Sequence, residues 1–557
     1  MSFIAKLNRF AGNPVNMDMK RSKFDLSHGH KLTMVSGKLV PILVDEVLPD
    51  DTIKINISSV VRSITPAVPV MDNAFLDLFA FWVPARLCTM LPTDWTQVHG
   101  EKLGGFWAQD TEKTLQNTGN MFKITAAVQA QSIADYMGIP IGFYHTSMNI
   151  SKLPFNGYLE IWNQWFRDQN TQADLQWKAY SDANLALMVE AKDGCLDVNK
   201  FHDYFTSCLP GPQKGQSVLL PVATSAPVVT GSVHNGAGYN MKVHLLNGET
   251  LASWGANTVG IVNNTGSATD IPNLAYDPNN APGSTSDKFK NFEPANLWAD
   301  LSSAVAVSVN EMRQAFAIQK LFEKDARGGT RYREVLMTHF GVSIPDNTVQ
   351  VPEYLGGKRI PLNQLQVLQT SENGSNPLGT TGAFSNTADS SDLFVKSFAE
   401  YGYIYILGCI RTSQSYSQGI SRMFTRDRRF DFYYPVFANL GEQAVKKTEI
   451  FADNSSVLTT VFGYQECWAE YRYKPTKLSG YLSANSGDIV AQQWTYGNKF
   501  ASAPVLNSDF MKQSRLNIDD TLVVTNADYQ FICDFYFDYK AWRAMPYYSV
   551  PGLIDHH

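Results

Sequence analysis

Apolar and polar residues alternate over TIKINIS (52–58), with Ile53, Ile55 and Ile57 on one side. That period of two predicts a strand with one buried face. AFLDLFAFWV (74–83) is apolar at nearly every position, which suits a strand covered on both faces. FDFYY (430–434), WAEYRY (468–473), TLVVT (521–525) and QFICDFYFDY (530–539) are short, aromatic or β-branched, and edged by turn residues. They too predict strands. Because these segments lie far apart, their pairing must be non-local, as in a sandwich or Greek-key barrel with long connections.

Two helices are predicted inside those connections. After Pro154, with Asn156 as N-cap, Tyr158, Ile161, Trp162, Trp165 and Phe166 recur at helical spacing. The second covers 301–325, with Leu301, Val305, Val309, Met312 and Phe316 on one face and a stop at Gly328-Gly329. Both stripes predict core packing rather than a ligand box. The most hydrophobic run, YGYIYILGCI (401–410), is half the length needed to cross a bilayer, so no membrane insertion is expected.

Between residues 222 and 296 the pattern changes. Three lysines and five acids are all the charge this stretch holds, while eleven asparagines and eight glycines favour turns. Short β-type pieces remain at Val243–Leu246 and Thr258–Val262. The expectation is an outward insertion on a rigid scaffold, where recognition commonly sits. A plain linker is the duller alternative, but Leu251 and Trp254 are not linker residues.

Charge narrows the partners. The net charge is −6, so the whole molecule is not a generic polyanion binder. Residues 1–23 differ, carrying Lys6, Arg9, Lys20, Arg21 and Lys23 against Asp18 alone, a local +4; they read as a basic arm suited to a phosphate backbone. A second cluster, RMFTRDRRFDFYY (422–434), mixes Arg422, Arg426, Arg428 and Arg429 with aromatic rings, a composition that suits single-stranded nucleic acid. The competing reading pairs these arginines with acids within or between subunits and puts the rings in a core.

A search for catalytic chemistry assigns no catalytic, cofactor-binding or metal residue. GPQKGQS (211–217) lacks the Gly-Lys-Ser/Thr ending of a phosphate loop, and Pro212 removes a needed N–H. His28 and His30 read as hydrogen-bonded structural histidines rather than a metal pair. The six scattered cysteines form no CxxC and suit reduced thiols in a cytoplasm. The start, MSFIAKLNRFAGNP, lacks a secretory apolar region. Nothing singles out a carboxylate pair for glycoside chemistry.

Several blocks nonetheless form a known series. RSKFDLSHGHKLT (21–33), VDEVLPDDT (44–52), TPAVPVMDNAFLDLFAFWVPARL (65–87), LPFNGYLEIWNQWFRDQN (153–170), FGYQECWAEYRYKP (462–475) and MPYYSVPGLIDH (545–556) resemble, in family order, the major capsid protein of gokushoviruses, small single-stranded-DNA phages of the Microviridae. Asp50 stands where the family turn has glycine, and Gly211 where tryptophan is common. The resemblance implies a mainly β, eight-stranded antiparallel jelly roll spanning 1–557, with long loops carrying a few helices and a surface insertion. It implies a sixty-copy T=1 icosahedral shell around circular single-stranded DNA, assembled in the bacterial cytoplasm, with no cofactor and no catalytic turnover. Segment 222–296 falls where the family carries threefold protrusions, so Asn235, Tyr239, Trp254, Asn263 and Asn264 would face the host surface and its receptor. Lys6, Arg9, Lys20, Arg21, Lys23, Arg426, Arg428 and Arg429 would face the packaged DNA. A small basic DNA-binding protein and internal scaffolding or pilot proteins are the further partners implied. The alternative is a β-rich carbohydrate-binding or depolymerising phage tail protein.

Overall fold

The computed structural model describes residues 20–89, 120–145, 147–215, 309–368, 381–453, 460–524 and 527–548, with isolated short pieces between them. Nine strands build two antiparallel sheets: β1 (Ser22–Asp25), β2 (His28–Met34), β3 (Val40–Val47), β4 (Thr52–Ser63), β5 (Ala74–Pro84), β6 (Glu353–Leu362), β7 (Thr387–Ser397), β8 (Gly402–Thr412) and β9 (Phe531–Arg543). One sheet runs β1-β9-β4-β7, with β2 also on β9; the other runs β6-β5-β8-β3. The C-terminal strand β9 therefore lies between strands from the first 63 residues, Phe531 opposite Ser63 and Ser22 opposite Arg543. This non-local, antiparallel arrangement is that of a jelly roll, as expected, although the two sheets hold nine strands among the described residues rather than eight.

The two sheets use their sequences differently. In β4, Ile53, Ile55 and Ile57 are buried while Lys54, Asn56 and Ser58 are half-buried on the other side. In β9, Phe531, Cys533, Phe535, Phe537, Tyr539 and Ala541 alternate inward in the same way. By contrast β5 and β8 are buried on both faces at most positions, as their unbroken apolar runs require. Helix α1 (Leu153–Ile161), which continues as a wider π turn through Phe166, covers the outer face of that sheet. Phe166 packs on Phe79 with ring centroids 5.2 Å apart, Trp165 on Phe81 at 5.5 Å. Tyr158 donates to the Leu39 carbonyl at 2.7 Å.

Several local expectations are corrected. Asn156 does not cap α1; it lies inside the helix, and its Nδ2 donates to the Cys88 carbonyl at 2.8 Å. FDFYY is not a strand, because the Asp431 carboxylate accepts the backbone N–H groups of Asp427 and Arg428 and closes a 3₁₀ turn. WAEYRY is not one either: Trp468 sits at φ +67, which ends the strand Val461–Glu466 and starts a short helix, Ala469–Arg472. Over its described residues, 521–524, TLVVT forms no strand: Leu522 makes a single antiparallel bridge to Pro66, and its N–H donates to the Asp519 carbonyl at 3.2 Å. Helix α2 covers Val309–Gly328 and stops at Gly329, φ +89, as the glycine pair predicts. Met312 and Phe316 on it are exposed rather than core, since no apolar surface among the described residues covers them.

Contacts divide the chain into two compact units, Met1–Lys214 with Glu323–His557, and Gly215–Phe322. The first contains both sheets and both buried clusters, the smaller of which gathers Tyr204, Phe205, Tyr416, Phe462 and Phe510. The second contains the strand pairs Val228–Thr230 with Leu297–Ala299 and Val243–His244 with Glu293–Pro294. Lys6, Arg9, Asn235, Tyr239, Trp254, Asn263, Asn264, Leu301, Val305 and the piece Thr258–Val262 lie outside the described residues.

Candidate assembly and nucleic-acid surfaces

The basic arm enters the fold through β1. Arg21 is committed there: its Nη2 donates to the Asp50 carbonyl at 2.5 Å, to Thr52 Oγ1 at 2.6 Å and to the Trp542 carbonyl at 3.2 Å. Its Nε faces the Asp50 carboxylate at 3.5 Å. Asp50 itself adopts φ +68, the left-handed conformation that glycine adopts most readily. The Arg21 contacts, and an N–H bond from Asp50 to the Phe398 carbonyl at 2.8 Å, hold it there. Lys23 lies over the Trp542 ring at 5.5 Å, and Lys20 is exposed at the start of the described chain.

The second cluster is split by its partners. Arg426 bonds Glu470 at 2.8 Å and the Tyr471 hydroxyl at 2.5 Å, with its guanidinium 4.6 Å from the Tyr471 ring. Arg422 reaches Glu449 at 3.0 Å and Glu470 at 3.7 Å. Arg428 and Arg429 remain exposed, Arg429 beside the Tyr434 hydroxyl at 3.3 Å. Phe424, Phe430, Phe432 and Tyr433 are also exposed rather than core.

A buried ionic cluster went unread in the sequence. Asp77, on the apolar strand β5, accepts Arg359 from β6 at 2.7 Å and Arg411 from β8 at 3.0 Å. Both guanidiniums stack on Phe201, each 4.3 Å from its centroid. The available signal was a lone acid inside an apolar run, which demands a cation on a neighbouring strand. Phe201, Arg359 and Arg411 border a cleft of about 760 Å³. Lys200, also on that cleft, is buried with its ammonium 4.5 Å from the Phe510 ring; desolvation pushes its pKa down to about 8.

Groups suited to covalent or metal chemistry are placed for structure. Burial pushes the thiols of Cys195, Cys409 and Cys533 up to about 12, far from a reactive thiolate. His28 Nδ1 bonds the Leu26 carbonyl at 2.8 Å and His30 Nδ1 the Ile42 carbonyl at 2.7 Å, consistent with structural histidines. Among the described residues no cluster of three His, Cys, Asp or Glu could hold a metal, and no helix is long and apolar enough to cross a membrane.

What remains is a jelly roll with long ordered loops and exposed aromatic surface, and comparison with known proteins gives that shape a role. The sequence matches the family model described as Capsid protein (F protein) over residues 14–553. It is 38% identical to Capsid protein VP1 of Bdellovibrio phage phiMH2K over 542 residues, 96% of each chain. It is 33% identical to Capsid protein VP1 of Chlamydia phage 1, with 98% of each chain covered. Capsid protein VP1 of Spiroplasma virus 4 is also 33% identical, over 98% of this chain and 96% of that one. With its blocks in order from β1 to the C-terminal strand and its two sheets paired as a jelly roll, this chain belongs to the F-type capsid proteins and is a major capsid protein of the gokushovirus kind.

Proposed function

We propose that sixty copies of this chain close into a T=1 icosahedral shell around a circular single-stranded DNA genome, assembling in the cytoplasm of a bacterial host. The observation that carries this reading is the full-length agreement with relatives named Capsid protein VP1. A subunit surrounded by copies of itself uses much of its surface as interface, and such interfaces are rich in aromatic residues. The exposed rings of 424–434 support that use. The work done is mechanical, fitting against neighbours, and the raised thiols favour no covalent chemistry.

The genome is met by local cations. Subunits of net −6 cannot neutralise a polyanion alone. The arm 1–23 supplies +4, and a small basic protein packaged with the genome supplies the rest, with internal scaffolding or pilot proteins as transient partners. Segment 222–296 forms the surface protrusion and meets the host receptor. Its assignment to a separate compact unit supports that role.

Electron microscopy and nuclease digestion of the purified protein test the reading. Closed particles of sixty copies protecting circular single-stranded DNA are expected. Monomers or trimers that cleave a glycan would overturn it in favour of a tail protein.

A further inference from the structure

We infer that Arg422–Leu440 is a preformed contact surface for a second copy of this chain, an inference that rests on the chain being a shell subunit. Met423, Phe424, Phe430, Phe432, Val436 and Leu440 are 51–82% exposed. Together they offer on the order of 800 Å², the share one partner brings to a standard interface. An ordinary monomer leaves no apolar patch larger than roughly 300–600 Å².

The surface is ordered before any partner arrives. Its backbone runs through three short 3₁₀ turns, Arg422–Phe424, Arg429–Asp431 and Pro435–Phe437. Glu470 fixes the near end by accepting Arg422, Arg426 and, at 2.6 Å, Gln443. Trp468 fixes the far end: its Nε1 donates to the Phe437 carbonyl at 3.0 Å, and its ring packs on Tyr433 at 5.6 Å. A surface held this way loses little conformational entropy on docking.

Charge selects the occupant. Residues 422–440 carry four arginines and two aspartates. Glu449 and Glu470, bound to Arg422 and Arg426, bring the local sum to zero. A DNA strand needs a cationic surplus. A protein neighbour needs apolar anchors with arginine beside them, which Phe430 flanked by Arg428 and Arg429 provides. The favoured occupant is therefore protein, and in a shell of one principal chain that protein is another copy.

Photo-crosslinking tests this directly. With Phe424 replaced by p-benzoylphenylalanine, irradiated particles should yield a covalent dimer of this chain on a denaturing gel. A crosslink to DNA or to another protein, or monomer alone, overturns the inference. In parallel, Phe424→Ser with Phe430→Ser should keep the native circular dichroism, because both rings are exposed, while lowering the yield of closed particles about tenfold or more. Particles at the yield of the unaltered chain would overturn it. If the unaltered chain forms no particles, the capsid reading fails instead, and the two failures are distinguishable.

Discussion

The hydroxyl of Tyr405 occupies the space that a Cβ on Gly157 would need, with the ring Cζ 2.8 Å from the same point. Tyr405 is fully buried on β8 and donates to the Pro154 carbonyl at 2.8 Å. The only way α1 can lie this close to the sheet is with no side chain at 157. Gly157→Ala should therefore destabilise the subunit by about 1–3 kcal/mol through overpacking. Tyr405→Phe alone should cost about 1 kcal/mol for the lost hydrogen bond. Combined, the two should cost less than their sum, since removing the hydroxyl relieves part of the clash. Urea midpoints of the four proteins give the answer, and strict additivity would refute the account.

The Asp77 cluster predicts an asymmetric response. Arg411 is 14% exposed in its side chain and Arg359 is 52%. Asp77→Ala leaves two guanidiniums facing one another, one of them buried, and should cost about 3–5 kcal/mol. Arg359→Ala, at the wet end, should cost about 1 kcal/mol or less. Thermal unfolding of the two variants checks the order; equal losses would mean the buried arginine draws its stability from the Asn199 carbonyl instead.

The β-sandwich was legible because its strands announce their burial. Alternation in 52–58 and unbroken apolarity in 74–83 each predicted the face later found buried. Segments 430–434 and 468–473 misled for a physical reason. Their aromatic composition reports an apolar environment, while the backbone is decided by the Asp431 carboxylate and by Trp468 at φ +67, which hydrophobic pattern does not encode. The basic clusters were legible as charge but not as commitment. Arg21 and Arg426 are bound inside the subunit by residues 29 and 44 positions away, and no local spacing rule finds such partners.

Lys200 gives a pH signature. Its pKa falls from 10.5 to about 8 in the folded chain, so between those values the unfolded chain binds more protons than the folded one. Stability from this group therefore rises as pH increases through about 8 towards 10.5. At pH 7 the buried ammonium is a cost only partly offset by the Phe510 ring. Lys200→Met should raise the urea midpoint at pH 7 and reduce its rise between pH 8 and 10.5. An unchanged pH profile would mean the ammonium is solvated through the cleft.

Arg21 and its neighbours in the arm should separate by function. Reversing Lys6, Arg9 and Lys20 to glutamate removes arm charge while leaving the Asp50 clamp intact. The DNA-to-protein ratio of purified particles should fall, with particle stability little changed. Arg21→Ala should do the opposite, lowering thermal stability through loss of three hydrogen bonds without changing the ratio. An unchanged ratio in the triple variant would remove the arm from genome contact.

Segment 222–296 sets the last test. Among the described residues, the strands of the two large sheets and both buried clusters lie outside it. Replacing its middle with a short Gly/Ser connection leaves those strands and clusters in place, and halving a flexible loop lowers its closure cost by about 0.6 kcal/mol. Particles should still form at close to the original yield. Adsorption to host cells should fall about tenfold or more, and Trp254→Ala should reproduce part of that fall without altering the particle. Loss of assembly on shortening would put the segment in the shell wall. Intact adsorption would move host recognition to another surface, and the low charge of 222–296 would then need a different explanation.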